Sequence, residues 1–244
     1  MNEDLKKKLI EIRDRGFIDS LRDGSSGVGY TLETLLGKKE DTLPFPDYNG
    51  VEIKSYRKNP DRNINFFSLV PDGDAPFPYE RILRYVGYPD KDYPEYKVFH
   101  MDLNAKEKTR VNSITNAWIY VDRKEKKVSF LVSKMGRMKP VNVSWSFEQI
   151  MERINIKMRK LLLVEADFKT SGGHQKFHYI KFRYMELKKE DLFVDLIENG
   201  TISISIKLSI DKRPESLGFI RDHGCTFFIN LKDIEKLYSL KVTI

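Results

Sequence analysis

Val51, Glu52, Ile53 and Lys54 alternate apolar and charged residues, the period of a strand that buries one face. Side chains two apart on a strand share a face, so Glu52 and Lys54 project together, away from the core that takes Val51 and Ile53. Just upstream, Pro46 and Gly50 bracket a turn that carries Asp47 back toward them. Two carboxylates and an ammonium at a strand edge make a site for a hard divalent cation and a phosphate: the carboxylates offer oxygen ligands, the lysine a charge for a developing transition state. The same spacing also suits an edge strand with a solvated charged face. The segment before it bears on the choice.

Residues 24–37 read Gly-Ser-Ser-Gly-Val-Gly-Tyr-Thr-Leu-Glu-Thr-Leu-Leu-Gly. The glycines permit tight turns and close backbone approach. Tyr30, Leu32, Leu35 and Leu36 then fall near helical spacing, with Gly37 placed as a C-cap. A nucleotide-binding loop is excluded by context, because no apolar strand precedes Gly24, Leu32 occupies the place of a third glycine, and no Gly-Lys-Ser/Thr follows. A helix presenting Glu33 ahead of the Asp47–Lys54 strand is the better reading.

The chain has 244 residues, enough for one large domain or two lobes, and its 40% hydrophobic content supplies a core. A formal net charge of +7 suits a polyanionic partner. Cys225 is the single cysteine, so no intrachain disulfide forms and a reducing cytoplasm is the natural setting. It sits in the apolar run Cys-Thr-Phe-Phe-Ile, which marks a buried structural thiol. No apolar run reaches membrane-spanning length, and the lysine-rich start lacks the apolar core of a signal peptide.

Helices are expected over about 2–15, 29–36, 146–158, 189–199 and 231–238. Ser146 and Gln149 form the capping box of the third. The motif strand is expected at 50–57. An irregular stretch over 58–95 holds six of the ten prolines, with a short helix at 78–85. Strands near 96–103, 116–122, 127–133 and 141–145 suggest an antiparallel meander. Further strands are expected at 160–168, 175–186, 201–210, 225–230 and the end of the chain. The whole reads as one α/β chain of two arms around a cleft, a catalytic arm over about 1–145 and a recognition arm over about 146–244.

Residues 211–224 read as a polar loop after a strand, carrying Lys212, Arg213, Arg221, Asp222 and His223. Arginine can read guanine bidentately in the major groove. Lys207, on the polar face of the preceding strand, is a second candidate, and the polar face of 175–185 a third. Each also suits a solvated surface.

Taken in order, Gly24-Ser-Ser-Gly-Val-Gly, Leu32-Glu33, Leu36-Gly37, Pro46-Asp47 and Gly50-Val-Glu-Ile-Lys54 resemble the catalytic half of type II restriction endonucleases of the MvaI/BcnI family, within the PD-(D/E)XK nuclease fold. The related MutH-type nicking enzymes share the pattern. Val143-Ser-Trp145-Ser-Phe147, Tyr179, Ile197-Glu-Asn-Gly200 and Asp222-His-Gly224 are similar to later landmarks of the family, while 56–140 matches less clearly. The resemblance implies a PD-(D/E)XK core, a mixed sheet flanked by helices. It implies a Mg²⁺-dependent (Mn²⁺ as substitute) endodeoxyribonuclease that cuts double-stranded DNA at a short, CCNGG-like site. Its catalytic residues would be Glu33, Asp47, Glu52 and Lys54, with metal held by Asp47, Glu52 and the Ile53 carbonyl. Lys207, Arg213, Arg221, Asp222 and His223 would contact DNA. A monomer, a prokaryotic cytoplasm and a matching DNA methyltransferase follow from the same source. A MutH-type strand-specific nicking enzyme is the alternative within that chemistry, and a catalytically silent DNA-binding protein the alternative outside it.

Overall fold

The structure, a computed structural model, describes residues 1–38, 45–58, 62–72 and 78–244. Parts of the expected irregular stretch lie outside the described residues. Packing divides the chain into two compact units. The first gathers residues 1–64, 153–190 and 231–244, and the second 65–152 and 191–230. The units interleave along the chain, whereas the sequence reading places a single boundary near 145.

The first unit is built on one sheet. Its strands run in the order Ile18–Asp19, His174–Leu187, Lys160–Ser171 and Glu52–Arg57, and Tyr238–Thr243 also pairs with His174–Leu187. The motif strand Glu52–Arg57 lies parallel to Lys160–Ser171, with Ile53 opposite Leu162 and Lys54 opposite Leu163. Leu161, Leu162, Leu163 and Val164 are each 0% exposed, as expected of a strand covered on both faces. On one face, Leu162, Val164 and Ala166 join Val51, Ile53, Phe177 and Tyr179 in a core. Two helices close that core. Glu3–Asp14 contributes Leu5, Leu9 and Ile12, and its first turn is capped by the Asn2 side chain, which accepts from the Leu5 amide at 2.9 Å. Gly27–Leu35 contributes Val28 and Leu32.

The second unit holds two sheets. One runs Asn63–Ser68, Ile220–Asn230, Ile202–Ile210, Lys97–Leu103 and Tyr88–Pro89. The other pairs Thr109–Arg110 with an antiparallel meander of Thr115–Asp122, Lys127–Lys134 and Arg137–Ser146. The meander is therefore three-stranded in its long members. Lys97–Leu103, expected to belong to it, instead pairs with Ile202–Ile210, a partner some hundred residues later in the chain. The helix Pro78–Val86 confirms the expected short helix, and the strand Asn63–Ser68 was not anticipated. Phe66 and Phe67 from that strand meet Phe193, and Phe67 meets Phe227, in an aromatic cluster with ring centroids 5.3–5.6 Å apart. Ser146 caps its helix as expected, its hydroxyl accepting from the Gln149 amide at 3.2 Å. The Gln149 side chain does not complete the box; it donates to the Val70 carbonyl instead.

The sequence predicts a loop through residues 220–224, but Ile220–Asn230 is one continuous strand against Ile202–Ile210, with Asp222 opposite Leu208 and Arg221 opposite Ser209. The pairing shifts register between Ile206 and Leu208. The shift interrupts the alternation expected of a strand and leaves Arg221, Asp222 and His223 all exposed, which is why they read as loop.

Cys225 is buried in this strand, and burial pushes its thiol well above the ordinary range. The native protein should therefore resist modification by a maleimide or by Ellman's reagent at pH 8, with one thiol appearing on addition of denaturant. Rapid stoichiometric labelling under native conditions would show that the strand opens locally.

Candidate active site

The turn ahead of the motif strand has a defined geometry. Asn49 and Gly50 both adopt positive φ, at 44° and 81°. Tyr48 and Val51 exchange backbone hydrogen bonds of 3.0 and 2.8 Å across them. Asn-Gly at the centre of a two-residue hairpin is the sequence that such a turn demands. The turn folds Asp47 back onto the strand, where its Oδ2 accepts from the Ile53 amide at 2.9 Å. That bond anchors the carboxylate beside Ile53, whose own side chain is buried in the core.

Glu52 departs from the sequence expectation. It was placed on a half-solvated face, yet it is 0% exposed. Its Oε1 lies 2.5 Å from Lys54 Nζ and 3.3 Å from Lys157 Nζ. Neither of its buried carboxylate oxygens receives a well-directed hydrogen bond. Burial pushes its carboxyl up; Lys54 pulls it back, Asp47 pushes it further up, and Lys157 again pulls it back. Lys38 approaches Asp47 at 3.8 Å. Two carboxylates thus sit among three ammoniums in a partly dry environment.

Glu33 joins the group from the helix Gly27–Leu35. Its carboxyl is pushed up to about 7, first by burial, then by repulsion from Asp47; Lys54 opposes the shift and Glu52 adds to it. Gly27 sets the start of this helix against the chain before it. A methyl there would lie 2.4 Å from the Arg22 carbonyl oxygen, so no larger residue fits without moving the backbone. A depression of about 280 Å³ opens beside Glu33, lined by Arg22, Ser26, Gly29, Tyr30 and Ser55 among others.

Glu33, Asp47, Glu52 and Lys54 are therefore brought together in the first unit. Sequence reasoning missed Lys38 and Lys157. Lys157 is the last residue of the helix Phe147–Lys157, which leads into the strand parallel to the motif strand. The available signal was that a parallel neighbour needs a crossover, whose end must lie near the motif.

A cation fits this site. A buried carboxylate oxygen such as Glu52 Oε2, without a hydrogen-bond partner, is the kind of group that a hard ion satisfies, and oxygen-only donors suit Mg²⁺ or Mn²⁺. Among the described residues, no three His, Cys, Asp or Glu side chains converge on one point.

The expected DNA-contacting residues all lie in the second unit. Lys207 is exposed on the strand, opposite His100. His223 Nε2 shares a 2.6 Å hydrogen bond with Ser209 Oγ. Asp222 accepts from the Tyr79 hydroxyl, and from the Gly224 amide at 2.6 Å. Arg221 is exposed without an ion-pair partner among the described residues. Arg213 stands apart from these, its guanidinium committed to the buried Asp211 at 2.6 Å. Tyr79, half of the Asp222 contact, was not singled out by sequence.

A model of the MvaI/BcnI restriction endonuclease family matches residues 6–238. Among solved structures, the restriction endonuclease MvaI in complex with cognate DNA substrate is similar over 99% of each chain, at 25% identity and a TM-score of 0.87. MvaI in the absence of DNA is similar over 99% of this chain and 98% of that one, at 25% identity and a TM-score of 0.61. No curated protein matches the chain. The α/β architecture is that of the PD-(D/E)XK type expected from the sequence.

The raised Glu33 carboxyl has a consequence for stability. An acid whose folded value lies above its ordinary 4.5 binds its proton more tightly when folded, so stability falls as pH rises from about 4.5 to about 7. In EDTA, Glu33→Gln should therefore melt higher than the parent at pH 8. The gain is on the order of 1 kcal/mol after discounting for partial exposure, and it should shrink toward pH 4.5. A difference independent of pH would place Glu33 outside this electrostatic cluster.

Proposed function

The chain belongs to the MvaI/BcnI restriction endonuclease family, and we propose that it cuts double-stranded DNA by Mg²⁺-assisted attack of water on a phosphodiester, with Mn²⁺ as a substitute ion. It is a sequence-specific endonuclease of the type II class, and the divalent-metal requirement is general to such enzymes. Assignment of the chemistry to the first unit rests on one observation: Asp47 pinned to the Ile53 amide beside a buried Glu52 carboxylate whose Oε1 contacts Lys54 and whose Oε2 has no hydrogen-bond partner.

A bound divalent ion lowers the pKa of water and neutralises charge on the phosphate. Asp47 and Glu52 would hold it, with the Ile53 carbonyl as a further oxygen ligand. The bond from the Ile53 amide fixes the Asp47 carboxylate, so no ordering of that side chain is required when the ion arrives. Lys54, in contact with Glu52, orients the attacking water or faces the developing phosphorane charge. Glu33, beside this cluster, supports the site by orienting Lys54 or the attacking water.

Recognition falls to the second unit. Lys207, Arg221, Asp222 and His223 share the strand pair Ile202–Ile210 and Ile220–Asn230, and Arg213 belongs to the turn that joins it. A carboxylate can accept from a cytosine amino group, and an arginine can grip guanine, which is compatible with a CCNGG-like target. The protein acts as a monomer in the prokaryotic cytoplasm, alongside a methyltransferase that protects host sites. Among the described residues no helix is long and apolar enough to cross a membrane.

Alanine at Asp47, Glu52 or Lys54 should each abolish single-turnover cleavage in Mg²⁺, by at least about a hundredfold, while binding of cognate DNA in Ca²⁺ changes little. Near-normal cleavage by any of the three would remove that residue from the site, and full activity in EDTA would refute the metal mechanism. For recognition, Arg221→Ala and His223→Ala should weaken binding to cognate DNA by about 1–3 kcal/mol more than to scrambled DNA. Equal losses on both DNAs, with a flatter salt dependence, would reassign the strand to phosphate contacts.

A further inference from the structure

Lys157 has no place in the sequence motif, yet it shares a carboxylate oxygen with the motif lysine. Its Nζ lies 3.3 Å from Glu52 Oε1, and its side chain is only 19% exposed. A basic residue in the last turn of a helix is favoured by the helix dipole, and that alone accounts for a solvated lysine. It does not account for one turned onto a fully buried carboxylate.

The balance of charge does. Removing a carboxylate from water without compensation is costly, and a buried ion is kept only when paired. Glu52 receives no well-directed hydrogen bond, so ammoniums are its main compensation. A divalent ion entering the site needs the same carboxylate and meets the same two positive charges. Lys54 comes from the motif strand itself, one residue beyond Ile53, and is held to the sheet by pairing. Lys157 comes from a helix end and makes the longer contact, 3.3 Å against 2.5 Å, so it is the weaker partner of the two.

We propose that Lys157 is a positioning residue for Glu52: it serves as the stand-in cation of the metal-free site, holding the carboxylate in place, and it yields to the divalent ion. The inference rests on Glu52 being a metal ligand, as assigned above. It predicts an opposition that a packing role does not. Removing the Lys157 charge weakens the metal-free state and also removes a like charge from the ion, so metal binds more tightly.

The test uses the full chain without DNA at pH 8, with Mn²⁺ as the probe and free Mn²⁺ read by electron paramagnetic resonance. Lys157→Met should tighten Mn²⁺ binding by about threefold or more, and Lys157→Arg should stay within about twofold of the parent. Thermal melting supplies the second readout. Lys157→Met should melt lower than the parent in EDTA, and the gap should close in saturating Mn²⁺. Unchanged or weaker Mn²⁺ binding by Lys157→Met, or an equal melting deficit with and without Mn²⁺, would overturn the proposal. Glu52→Gln separates the metal site itself from the role of Lys157. If it binds Mn²⁺ as well as the parent does, the metal-site assignment fails; if it loses Mn²⁺ while Lys157→Met behaves as the parent, only the role of Lys157 fails.

Discussion

The parallel pairing of Glu52–Arg57 with Lys160–Ser171 is the contact on which the candidate site depends. Parallel strands cannot be joined by a tight turn, so the chain must travel away and return through a crossover. Here that return ends in the helix that delivers Lys157, and the strand that follows is buried on both faces. The motif strand is thereby clamped along its whole length, from Leu161 opposite Glu52 to Ala166 opposite Arg57. Arg57 extends the clamp to the glycine segment: its guanidinium donates to the Gly24 carbonyl at 2.8 Å and to the Gln175 side chain at 2.9 Å. Strand, helix start and neighbouring strand therefore share one rigid frame.

Within that frame the site holds unfavourable electrostatics. Glu52 is buried without directed donors, and Glu33 is driven toward neutrality by burial and by Asp47. A protein selected for stability alone would replace such a cluster with apolar side chains of similar volume. The charges persist because the surrounding sheet, with its fully buried Leu161–Val164 run, over-determines their position. The opposite strategy appears at Asp211, where a buried carboxylate is fully served by the guanidinium and amide of Arg213. Burial below pulls one carboxyl up at Glu52, whereas the bonds from Arg213 hold the other well below the usual carboxylate range.

Local features were legible in the sequence, and remote ones were not. The turn between Pro46 and Gly50, the alternation of Val51–Lys54 and the helix bearing Glu33 are all encoded locally, so the four motif residues could be placed in one group. The burial of Glu52 could not be foreseen, because Lys157 and the buried Tyr238, whose hydroxyl lies in its electrostatic field, arrive from far along the chain. The same limit explains Lys97–Leu103. Its pattern marks a strand, but nothing local says that its partner is Ile202–Ile210 rather than the next strand in sequence. At Arg221–His223 the failure was of a different kind: a register shift removed the alternation by which a strand is read.

The first unit is stitched from three separated stretches, 1–64, 153–190 and 231–244. During synthesis the motif residues emerge first, but the strand that must lie beside them is still unmade. Contacts of such long sequence separation form late, since the loop entropy is lost before the pairing rewards it. A ribosome-bound fragment ending before residue 160 carries Glu33, Asp47, Glu52 and Lys54 without the neighbour strand and without the frame that sets their geometry. The order of the chain thus makes the geometry of the four motif residues late to form, because the stretches that complete their frame follow residue 153.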